Sequence, residues 1–138
     1  MENLDKLAAE KAQQVIRETA NFDASAVENL ATKALGVLQE NGVYAATLFL
    51  YSRSGNDAKI APFMRKPLLE LAAKKVVNQS TPADEASNAL DFVTKHLASD
   101  LDTLLLVKQV WEQALIYVRY GAKARNTQKN TPSKEQAT

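Results

Sequence analysis

Cysteine is missing from these 138 residues, histidine and tryptophan occur once each, and glycine and proline four times each. Each shortage closes off a class of chemistry. Without cysteine there is no disulfide framework and no thiolate nucleophile, which suits a reducing compartment and leads us to expect a cytoplasmic protein. A lone His96, with no cysteine and no close carboxylate cluster at ligand spacing, lacks the parts of a zinc site or a histidine base. Four glycines cannot be arranged into GxGxxG or GxxxxGK[ST], so no phosphate loop is available. Long apolar runs are also lacking. The longest, around Val43 to Tyr51, falls far short of a bilayer span, and Met1-Glu2-Asn3-Leu4-Asp5-Lys6 is too polar and acidic to begin a secretory signal. Strand patterns with hairpin turns, and repeats at a solenoid period, are not found. The expectation is a single soluble domain without catalytic activity, metal, cofactor, membrane contact or small-molecule substrate.

What is present is helical. Hydrophobic residues make up 46% of the chain and charged residues 24%, enough for one real core at this length. Leu4, Leu7, Ala8, Ala12, Val15 and Ile16 recur at helical spacing and predict a helix over 4–19. Ser25-x-x-Glu28 has the form of a capping box and predicts a second helix, with Val27, Leu30, Ala31, Ala34, Leu35 and Leu38 inward, ending at Asn41-Gly42. The third, over 43–52, is nearly all apolar, so Leu48 and Phe49 are expected in the core. Arg53-Ser54-Gly55-Asn56-Asp57 is a cluster of turn formers. Pro62 and Pro67 predict a short turn up to Lys66 and a regular helix from Pro67, where proline suits the first position.

Thr81-Pro82-Ala83-Asp84 resembles a helix start and predicts a fifth helix over 82–97 with Ala86, Leu90, Val93 and Leu97 inward. On this reading Asp84/Glu85, like Asp100/Asp102, sit at helix N-termini and stabilise exposed amides. Ser99-Asp100-Leu101-Asp102 caps the last and longest helix, to about Arg125. The fold class is therefore all-α, a single compact bundle of about six helices over residues 1–125, and 126–138 reads as a disordered tail.

Net charge is only +1, but its sign alternates by segment. Residues 1–52 hold four basic and seven acidic side chains, a net of −3, and residues 53–83 hold six against two, +4. Residues 84–116 hold two against six, −4, and residues 117–138 five against one, +4. If the basic segments share a face, the fold has a positive side for RNA and a negative side for stacking. Otherwise these are ordinary solvated helix faces. Most aromatics fall on apolar faces and read as core. Tyr120, flanked by Arg119 and Lys123, is the exception, and packing and base contact are both open for it.

Two blocks of residues resemble the small subunit of Cmr-type (type III-B) CRISPR RNA-guided effector complexes. In that family a helix ending Ile/Leu-Gln-x-Asn-Gly is followed by a helix of the type Leu-x-x-Thr-Leu-x-Phe-Leu, and Gln39, Asn41, Gly42, Thr47, Leu48, Phe49 and Leu50 occupy those places. The second block, Leu101 to Arg125, has the acidic start, the leucine run, the central Trp111 and the Tyr117-Val118-Arg119-Tyr120-Gly121-Ala122-Lys123-Ala124-Arg125 ending of the family's last helix. The resemblance implies a subunit without an active site, present in several copies, that bridges the backbone and large subunits and lines the guide–target RNA duplex. Local charge then nominates Arg65, Lys66, Lys74, Lys75, Arg119, Lys123 and Arg125 for phosphate contact. From a different class, a helical protein-interaction adaptor without an RNA role fits the same composition. A helix-turn-helix regulator fits less well, since residues 43–51 are too apolar for a major groove.

Overall fold

The computed structural model describes residues 3–137, with side chains through 128. Helix α1 (Leu4–Glu18) starts where the Asn3 side chain accepts from the Lys6 amide at 3.2 Å and ends at Thr19. Thr19 is buried, and its hydroxyl is satisfied by donating to the Val15 carbonyl at 2.7 Å. Helix α2 (Ala24–Asn41) is capped by Asp23, whose carboxylate accepts from the Ala26 amide at 3.2 Å. The expected box at Ser25 does not form. A start two residues earlier places a charged acceptor at the positive helix end and buries Ala24 as well as Val27. At the other end Gly42 adopts φ +94°, and its amide closes on Leu38 O at 2.9 Å. Such a φ is strained for any residue with a Cβ, and it lets α3 (Val43–Tyr51) begin at once.

Although apolar all round, α3 is covered on one side only. Val43, Ala46, Thr47 and Leu50 face inward, whereas Leu48 is exposed and Phe49 half-buried beneath the Arg53 guanidinium, 3.7 Å from its ring centroid. The expectation that both lie in the core therefore fails for Leu48, while Phe49 packs against the core in part. Among the described residues α3 packs chiefly on α2, α4 and α5, and Tyr44 and Leu48 are left exposed.

Helix α4 (Gly55–Glu70) runs through both prolines without a break. Each proline in a helix interior costs about 3 kcal/mol, but Ile60, Ala61, Met64, Pro67, Leu68 and Leu69 form one buried face across them, worth roughly 1.5–3 kcal/mol per large side chain. The predicted turn up to Lys66 is thus overridden by packing. The helix then widens into a π-helical segment, Leu71–Val76, in which the Val77 amide reaches Ala72 O, five residues back. Helix α5 (Ala86–Phe92) begins four residues later than expected, because Asp84 is engaged elsewhere, and passes into a second π-helical segment, Val93–Leu97. Its buried residues are Ala89 and Phe92, followed by Val93 and Leu97. Ala86 is exposed and Leu90 half-buried, so the shifted start turns a different stripe inward.

Helix α6 (Leu101–Ala137) is capped as expected: Asp100 accepts from the Thr103 amide at 3.2 Å and from its hydroxyl at 2.6 Å. Asn126, Thr127 and Gln128 continue it, and the side chains of the rest of the expected tail lie outside the described residues. The result is an all-α bundle of six helices with a long C-terminal one. α6 lies along α1 and α2, α4 closes the core between them, and α3 and α5 form a smaller tier beside α2 and α4. At the centre Trp111 is 1% exposed, and its indole N–H donates to Leu68 O at 2.8 Å. Among the described residues no helix is long and apolar enough to cross a membrane.

Candidate nucleic-acid interface

The seven nominated cations fall into two kinds: those whose heads the fold itself holds, and those that stand at the surface. Arg65 belongs to the first. Its guanidinium makes a fork with Asp84 (2.9 and 3.2 Å), donates to Leu50 O at 3.2 Å and lies 4.1 Å from the Tyr51 ring centroid. The Tyr51 hydroxyl donates to the same Asp84 at 2.7 Å. Burial, together with the hydrogen bond to Asp84 and its negative charge, pushes the Tyr51 phenol up from 10.0 to about 12. The Arg65 hydrogen bonds hold the Asp84 carboxyl below the usual carboxylate range. This cluster pins the segment between α4 and α5 to α3. It also explains why Asp84 is not a helix cap.

Arg125 is engaged in the same way. It donates to Thr19 O at 3.0 Å and Phe22 O at 2.7 Å, closing carbonyls at the end of α1 that have no partner within that helix. Lys66, by contrast, has 61% of its side chain exposed, with its ammonium 3.8 Å from Asp84. Lys74 and Lys75 project from the first π-helical segment. Lys74 is 3.9 Å from Glu70, and Glu70 is also held by Lys11, whose hydrogen bond lowers its pKa. Lys75 lines a groove of about 300 Å³ with Leu7, Glu10, Lys11, Gln14 and Arg17 of α1.

Arg119 and Lys123 lie elsewhere. Tyr117 and Gly121 point toward α1, and two residues along a helix is roughly 200° of rotation, so Arg119 and Lys123 leave α6 on the side away from α1. The Arg119 guanidinium sits 5.1 Å from the Tyr120 ring centroid, and Tyr120 is 57% exposed. Of the two readings open for Tyr120, core packing is the one this exposure removes.

The basic residues therefore form two patches. One gathers Lys74 and Lys75 with Arg17 of α1 and with Lys11, whose ammonium Glu70 holds; the other is Arg119 and Lys123 with an exposed tyrosine, and Lys66 stands apart from both beside Asp84. Lys11 and Arg17 escape the sequence reading because their segment is acidic on balance, and a segment sum says nothing of which side of a helix a charge occupies. His96 is exposed, its ring 5.4 Å from that of Phe92, and no group of three or more potential metal ligands occurs among the described residues. Comparison with protein-family models, with curated proteins and with solved structures gives no match.

Proposed function

We propose that the chain is a non-catalytic small subunit of a type III-B CRISPR ribonucleoprotein acting in antiviral defence in the cytoplasm. In this role it touches the backbone and large subunits and neighbouring copies of itself, and presents positive charge to the guide–target RNA duplex. The reading needs no cofactor. It draws on the residue resemblance at Gln39 to Leu50 and Leu101 to Arg125. The observation that carries the RNA contact is the exposure of Lys66, Lys74, Lys75 and Lys123, with Arg119 beside Tyr120, on helical backbone. Lys and Arg on rigid elements suffice for a backbone-reading task, because phosphates carry no sequence information. Arg65 and Arg125 drop out of the contact set, since their guanidinium groups are held by Asp84 and by α1.

The test is charge reversal in the assembled complex. Lys74→Glu/Lys75→Glu and Arg119→Glu/Lys123→Glu should assemble normally but bind the duplex more weakly. For every phosphate no longer neutralised, the salt slope should fall by about 0.7–0.9, with sequence discrimination unchanged. Wild-type affinity and salt slope in both variants would leave the adaptor reading. That second reading has its own support in the apolar side chains left at the surface, Tyr44, Leu48, Leu101 and Leu105.

A further inference from the structure

Tyr44 and Leu48 stand one turn apart on the uncovered side of α3, each 46% exposed. Single apolar side chains at a surface need no explanation. These two form a ridge on a helix with no charged residue from Val43 to Ser52. Just before the ridge, in the last turn of α2, is Glu40, exposed and without an ion-pair partner among the described residues.

Elsewhere on the molecule the packed helices α1 and α6 leave a surface groove of about 470 Å³ between their ridges, mostly apolar, with Ala9, Ala12, Ile16, Tyr117 and Gly121 along it. Gly121 lets Ile16 of α1 lie close against α6 on the floor of this groove. A Cβ there would meet Ile16 Cγ1 at 3.1 Å. At the edge lies Arg17, exposed and likewise without an ion-pair partner among the described residues. The ridge therefore has a spare carboxylate beside it, and the groove a spare guanidinium.

We propose that the α3 ridge of one molecule seats in the α1/α6 groove of a second copy, Tyr44 and Leu48 covering the apolar floor and Glu40 pairing with Arg17. The helix that carries the ridge is held by its packing on α2, α4 and α5, whereas the groove lies between α1 and α6, so a folded chain cannot fill its own groove. Ridge and groove are different surfaces, so the contact is head-to-tail, and each added copy offers a fresh groove and a fresh ridge. This gives a surface to the copy-to-copy contact proposed above and rests on that reading.

Sedimentation velocity on the purified chain tests it. Wild type should show a sedimentation coefficient that rises with concentration. Leu48→Glu, which spoils the ridge, and Ala9→Glu, which spoils the groove, should each weaken association at least tenfold. Mixed in equal amounts they should form a dimer that grows no further, because one retains a sound groove and the other a sound ridge. The exposed pair Arg17→Glu and Glu40→Arg should each weaken association alone but grow again when mixed, as alternating copies, because both contacts between unlike copies pair opposite charges; combining both changes in one chain should also restore growth, which guards against a variant that fails to fold. If wild type associates but the mixtures stay monomeric, copies meet through another surface and the assignment is wrong while stacking stands. Wild type that remains monomeric up to about 1 mM, an association free energy weaker than about −4 kcal/mol, would sink both.

Discussion

Arg65 donates to the Asp84 carboxylate and to the Leu50 carbonyl while lying against the Tyr51 ring, so one side chain ties α3, α4 and the segment before α5 together. A lysine there would keep the charge and lose the fork. The cluster is also bounded in pH from both sides. Asp84 has a lowered pKa, so its contribution to stability is complete above the unfolded-state value of about 3.9 and is lost as pH falls through the folded one. Tyr51 has a raised pKa, so its contribution is complete below its ordinary 10.0 and is lost as pH rises through about 12. Hydrogen exchange across residues 77–85, followed at both pH extremes, should show the segment loosening at each. Asp84→Asn should remove the acid limb and weaken the alkaline one, because Asp84 helps to raise Tyr51, whereas Tyr51→Phe should remove the alkaline limb and leave most of the acid one, which Arg65 dominates. Both limbs persisting unchanged in these variants would mean that the segment opens only as part of global unfolding.

At the scale of elements, α3 separates hydrophobicity from burial most sharply. Leu50→Ala should cost about 2–5 kcal/mol in denaturant melts, as a large-to-small change at a site 1% exposed. Leu48→Ala should fall within about 0.5 kcal/mol. Equal losses would put both sides of α3 in the core. An all-apolar sequence has no period to reveal which side is covered, and for that reason Leu48 was not legible as a surface residue. The elements with local chemistry were legible: the stripes of α1 and α2, the Asn41-Gly42 reversal and the Asp100 cap follow from caps and 3.6-residue periodicity. Less legible were α4, whose prolines are outweighed by tertiary burial, and α5, whose start depends on an Arg65 nineteen positions from Asp84. The π-helical segments have no sequence signature at all. Charge at the candidate interface could be read in the same limited way. Sequence shows which residues are cationic, but which guanidinium groups are consumed by carbonyls and carboxylates is a property of the folded chain.

For the molecule as a whole, the seam between α1 and α6 joins the two ends of the sequence. Tyr117 donates to Asp5, Gly121 meets Ile16, and Arg125 closes the carbonyls of Thr19 and Phe22. Arg125→Ala should lower unfolding free energy by about 1–3 kcal/mol, since it leaves half-buried carbonyls without their charged donor. Removing residues 129–138, which hold no apolar side chain larger than alanine, should leave the melting midpoint unchanged. A fall on that truncation would show that the segment contributes contacts of its own. The seam also dictates an order of events. Asp5 and Tyr117 are 112 positions apart, so joining them closes a long loop, and we expect the α1–α6 seam to form after the contacts between helices closer in sequence. On a translating ribosome α1 emerges well before α6. Until α6 has emerged, the stripe of Ala8, Ala12 and Val15 lacks its main cover and is open to other chains.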